Sequence, residues 1–78
     1  MDTSTPNRKK TAPALTQREI EILLHMREGD TDKLIAQKLS LCEKTVHHHA
    51  RAVCRKLSVA NRTQAVIFAL RRKIIPLA

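Results

Sequence analysis

The side chains best able to do chemistry in this 78-residue chain are gathered in one stretch. Between Cys42 and Cys54 stand Lys44, Thr45, His47, His48, His49 and Arg51, with Arg55 and Lys56 just beyond. Such a set could coordinate a metal, catalyse a reaction or grip a polyanion. A metal needs ligands converging on one point. Adjacent histidines on a helix point apart, and no C-x-x-C or H-x-x-x-H pair occurs, so no metal site and no other cofactor is expected. Catalysis needs a positioned nucleophile and base, or a glycine loop to cradle phosphate. Neither pattern is present, and a chain this short buries only about 60% of its unfolded surface, which leaves little room for a supported cleft. The sequence therefore reads as a non-enzyme.

Charge favours the polyanion. Lys and Arg number 15 against 7 Asp and Glu, a formal net charge of +8. The distribution is more telling than the sum. Every acid (Asp2, Glu19, Glu21, Glu28, Asp30, Asp32, Glu43) lies at or before residue 43. From there on come Lys44, Arg51, Arg55, Lys56, Arg62, Arg71, Arg72 and Lys73, with no acid among them. A solvated helix face usually mixes signs, so a one-signed half is an electrostatic footprint. With one Phe and no Tyr or Trp, the chain has no aromatic platform for stacking single-stranded bases. Duplex RNA hides its bases in a groove too narrow for a helix. Duplex DNA remains.

Composition sets the frame for the elements that must position these groups. Hydrophobic residues at 42% and charged residues at 28% suit one compact soluble domain. No apolar run approaches the roughly 18 residues of a membrane span, and MDTSTPNRKK lacks a signal-peptide core, so no membrane partner is expected. Two cysteines are too few for a disulfide framework, which points to a reduced, cytoplasmic setting. Residues 1–14 carry Pro6, Pro13 and the basic trio Arg8, Lys9, Lys10 without periodicity, and read as a flexible tail or interdomain linker ahead of a domain over 15–78.

Four helices are expected, near 16–28, 31–39, 43–57 and 62–73. Thr16 and Glu19 form a capping box for the first, with Leu15 as a staple residue, and Gly29 ends it. Thr31 caps the second, where Leu34, Ile35 and Leu39 keep helical spacing. Only Ser40, Leu41 and Cys42 then precede a long basic helix, a helix-turn-helix arrangement, although its turn has no glycine. In that third helix Val46, Ala50, Val53 and Leu57 form a core seam, and the opposite face carries Lys44, His47, His48, Arg51 and Arg55. Asn61, with Gln64 three residues on, caps a fourth helix that is apolar all round from Ala65 to Leu70. One side of it, including Phe68, is expected to face solvent in a monomer and so to form a subunit interface.

The series Leu15-Thr16-Gln17-Arg18-Glu19, Gly29, Lys33, Ile35-Ala36, Leu39, Thr45-Val46, His49, Lys56-Leu57 and Asn61-Arg62-Thr63-Gln64-Ala65 resembles the LuxR/NarL-type (GerE-like) helix-turn-helix over roughly residues 15–72. The resemblance implies an all-α, four-helix DNA-binding domain, commonly the C-terminal output domain of a response regulator, with a sensory or receiver domain N-terminal to it. It also implies that Ile22, Leu23 and Met26, rather than Ile20, face the core. Three residues depart from the family's habit: Cys42 where serine is usual, Leu34 where glutamate is common, and His47 where lysine is frequent. Cysteine is a weak cap acceptor, so the third helix is expected to start less firmly.

Position and resemblance together give the expected contacts. His47, His48 and Arg51 read base edges in the major groove. Thr31, Lys33, Lys44, Thr45, His49, Arg55 and Lys56 meet phosphates. Ile67, Phe68 and Arg71 lie in the interface of a homodimer. RNA polymerase is a further candidate partner. The alternative is a basic protein-interaction module, or a sigma-subunit-like helix-turn-helix that contacts the transcription machinery.

Overall fold

The computed structural model describes residues 14–77, which form four helices: α1 (Gln17–Arg27), α2 (Asp32–Leu39), α3 (Glu43–Leu57) and α4 (Arg62–Arg71). Among the described residues there is no strand, and the expected all-α, four-helix class is what is found. The expected tail falls, up to residue 13, outside the described residues.

Three of the four helices begin where a side chain satisfies an orphan amide. The Thr16 hydroxyl accepts from the Glu19 amide at 3.1 Å while Glu19 Oε1 accepts from the Thr16 amide at 2.9 Å, a complete capping box. Thr31 accepts from the Leu34 amide at 3.2 Å, and Asn61 from the Gln64 amide at 2.9 Å. At Leu34 no carboxylate is present to return the favour. Cys42 makes no side-chain cap bond at α3, as its weak acceptor sulfur predicts.

The helix ends share one device. Gly29 sits at φ 84°, with its amide donating to Met26 O and the Asp30 amide reaching back to His25 O. Ser40 and Ser58, both at φ 58°, make the same left-handed stop after α2 and α3. The turn between α2 and α3 thus dispenses with glycine and accepts a strain of about 1 kcal/mol at Ser40. The Leu41 amide bonds back to Ala36 O at 2.9 Å and fixes the angle at which α3 leaves.

α3 runs through the middle, packed against α1, α2 and α4, and α1 also meets α4. Ile22 and Leu23 of α1, Ile35 of α2, and Val46 and Val53 of α3 are fully buried, each worth about 1.5–3 kcal/mol of apolar transfer. Ile20 is only half-buried, as the resemblance implied.

Two expectations about α4 are corrected. It ends at Arg71 instead of 73, because Lys73 turns left-handed at φ 59° and the Ile74 amide bonds back to Ala69 O at 2.8 Å. That reversal swings Ile75 into the core at 2% exposure, and Arg27 donates to Pro76 O at 2.7 Å to hold the returning chain. Phe68 stands only partly in solvent. It is half-buried against the core, with the Arg72 guanidinium 4.8 Å above its ring.

Candidate nucleic-acid interface

α3 is a rod of 15 residues, about 22 Å long. With Val46, Ala50, Val53 and Leu57 buried beneath it, Lys44, His48, Arg51 and Arg55 recur at steps of four, three and four residues and form one exposed strip. Lys44, Arg51 and Arg55 make no ion pair among the described residues, so their donors face solvent unspent. No carboxylate follows Glu43 on this helix. Where a cap bond is absent, Cys42 Sγ lies 3.0 Å from Thr45 Oγ1 instead. The Thr45 hydroxyl and neighbouring amides hold the exposed Cys42 thiol below its ordinary value.

The three histidines leave the helix in different directions. His48 points outward on the strip. His49 is half-buried on one flank, its ring centroid 6.4 Å from that of His48 in an edge-on arrangement. His47 lies on the other flank, its Nδ1 3.5 Å from Asp32 Oδ2. The other oxygen of Asp32 accepts from the Arg62 guanidinium at 2.6 Å. His47, Arg51, Arg55 and Arg62 line a groove of about 440 Å³ between α3 and the start of α4. Cys54 lies in its wall, where burial pushes the thiol up against the lowering effect of Arg62.

Of the expected phosphate donors, Lys33 is exposed in the first turn of α2, beside Thr31, whose hydroxyl is occupied as a cap. Thr45 is half-buried beside Cys42. Lys56 spends one of its three N–H groups on Glu19, at 2.9 Å. Glu19 is 5% exposed. Burial pushes its carboxyl up, but the Lys56 ammonium and the Thr16 amide and hydroxyl outweigh that and hold it below its ordinary value. On α4, Ile67 is 45% exposed and borders, with Phe68, Arg71, Arg72, Val59 and Gln64, a shallow depression of about 390 Å³.

Residues 13–69 match the pattern of the luxR family of bacterial regulatory proteins. The chain belongs to this family. This LuxR-family chain is 42% identical over 62 residues to the transcriptional regulatory protein LiaR of Bacillus subtilis, covering 80% of the chain and 29% of LiaR. It is 43% identical over 61 residues to the response regulator protein VraR of Staphylococcus aureus, covering 78% of the chain and 29% of VraR. The solved structure of the transcription factor GerE superposes with a TM-score of 0.78 at 36% identity, over 82% of this chain and 96% of that one. The response regulator ChrA, of a heme-sensing two-component system, gives 0.77 at 40% identity, over 80% and 31%. The chain thus spans under a third of the length of the curated relatives it matches. It is the DNA-binding domain of a LuxR-family transcriptional regulator. No described helix is long and apolar enough to cross a membrane.

Asp32, Arg62 and Glu19 are not among the expected site residues. Asp32 lies within the acidic half, and only the fold brings it to the basic face. The 30-residue separation from Arg62 left no periodic signal to find.

Proposed function

We propose that this LuxR-family domain reads a specific duplex sequence by laying α3 in the major groove. The observation that carries the reading is the acid-free strip Lys44, His48, Arg51 and Arg55, with His47 at its edge. A groove about 12 Å wide admits one helix, and arginine can donate two bonds to a guanine edge. Arg51, His47 and His48, near the middle of α3, face the bases. Lys44, Thr45, His49, Arg55 and the remaining donors of Lys56 meet phosphates along α3, with Thr31 and Lys33 adding a contact from α2. Two copies pair through Ile67, Phe68 and Arg71 on α4 and span half-sites about one helical turn apart. By likeness to the response regulators VraR and ChrA, residues 1–14 link this domain to a receiver domain in a longer cytoplasmic protein that acts on transcription by RNA polymerase.

Selection from a random duplex library with the purified chain and Arg51→Ala tests the reading. An enriched motif of paired half-sites, with a guanine preference lost in the variant, is expected. Salt-sensitive binding without any enriched motif would reduce the domain to a general DNA binder.

A further inference from the structure

Asp32 is an acid at the edge of the groove that His47, Arg51, Arg55 and Arg62 line. One oxygen is fixed by Arg62 of α4 at 2.6 Å, and the other lies 3.5 Å from Nδ1 of His47 on α3. The second separation is longer than an ordinary N–H···O bond, so the inference requires the 60% exposed imidazole to turn toward Asp32. Arg51 and Arg55 from α3 share the same groove with His47 and Arg62, so Asp32 is the carboxylate the ring meets among cations.

This geometry bears on which ring nitrogen carries the proton. A neutral imidazole has one donor and one acceptor, and the partner of one nitrogen decides the character of the other. A carboxylate can only accept. We propose that Asp32 is a positioning residue for base recognition: it holds the Nδ1 proton of His47 and so turns a bare Nε2 lone pair outward, selecting a base edge that donates. The major groove offers such donors in the exocyclic amines of adenine and cytosine. Guanine offers acceptors there, so the neutral ring held this way rejects it. Arg62 acts behind Asp32, fixing the carboxylate so that it cannot swing toward Arg51. The inference rests on His47 lying in the groove as proposed above. A simpler role for Asp32, favouring the start of α2 and tying it to α4, would leave the tautomer of His47 untouched.

Two measurements on the whole 78-residue chain separate these roles, both near pH 8, where an ordinary imidazole is neutral. Long-range nitrogen–proton NMR identifies the protonated nitrogen of His47. Nδ1–H is expected in the wild type and in Asp32→Asn, whose amide oxygen still accepts. In Asp32→Ala the proton is expected on Nε2, the tautomer free imidazole prefers. Nε2–H in the wild type, or no change in Asp32→Ala, would overturn the inference whatever the DNA result. Library selection then compares wild type, Asp32→Ala and His47→Ala. A preference of several fold for adenine or cytosine at one position should vanish in both variants at that position alone. Asp32→Ala should also bind all sequences more tightly, with a salt slope steeper by about 0.9 as Arg62 is freed for a phosphate. If Asp32→Ala keeps the wild-type base preference, the inference fails and the reading of α3 stands. If the wild type enriches no motif at all, sequence-specific reading fails and takes this inference with it. Far-ultraviolet dichroism establishes that each variant is folded; should Asp32→Ala unfold, Nε2–H in the wild type, or a base preference that survives in His47→Ala, still overturns the inference.

Discussion

Oε1 of Glu19 accepts from the Thr16 amide and from the Lys56 ammonium, each at 2.9 Å, so one carboxylate oxygen closes the start of α1 and ties it to the end of α3. Glu19→Gln keeps an acceptor but removes the charge. A loss of about 1.5 kcal/mol is expected by urea unfolding, a charge-assisted bond discounted for the 35% exposure of Lys56. The pH dependence gives a second readout. The folded carboxyl titrates below its ordinary 4.5, so its contribution is present above that value and is lost as pH falls through the lower folded value. Glu19→Gln should be flatter over this acid range, and a wild-type acid limb surviving in the variant would assign it to other carboxylates such as Asp30, which Lys38 and His25 hold low.

Cys42→Ser should strengthen the start of α3. A serine oxygen in the extended cap conformation already adopted by residue 42 (φ −84°, ψ 155°) can accept the Thr45 amide. A gain of about 0.5–1 kcal/mol is expected, with Cys42→Ala giving none, read from paired thermal melts.

DNA variants should sort into two kinds. Arg51→Ala should relax preference at one base position by about 1–3 kcal/mol. Lys44→Ala and Arg55→Ala should instead weaken binding to every sequence alike, each reducing the salt slope by about 0.9. Fluorescence anisotropy titrations over a salt series on selected and scrambled duplexes distinguish the two.

Ile67→Glu should break self-association at little cost to the fold, since Ile67 is exposed while the core side of α4 is held by Ala65 and Ala69. Sedimentation equilibrium and gel shifts on one versus two half-sites check this. Loss of the two-site complex with retained single-site binding is the expected outcome, and an unchanged two-site complex would move the dimer contact off α4.

What the sequence made legible was local. Thr16, Thr31 and Asn61 mark three helix starts because a cap needs only a short oxygen and an amide two or three residues on. The α3 seam was legible because burial of Val46, Ala50, Val53 and Leu57 follows from helical period alone. The end of α4 was not. Ile74 follows Leu70 by four residues across three bases, a spacing that suits a longer helix, and only burial of Ile75 in the core, at 2% exposure, makes its return worth a left-handed Lys73. The bridge from Asp32 to His47 and Arg62 was equally hidden, since it joins three helices across the turns that orient them.

The two thiols occupy opposite chemical environments. Cys54 is half-buried in the groove wall, with its thiol pushed up, whereas Cys42 is exposed at the start of α3 with its thiol held down by Thr45. Thiolate, not thiol, attacks an electrophile. A maleimide dye supplied in limiting amount should therefore label Cys42 and spare Cys54, giving an optical reporter a few residues from the basic strip of α3 without introducing a cysteine.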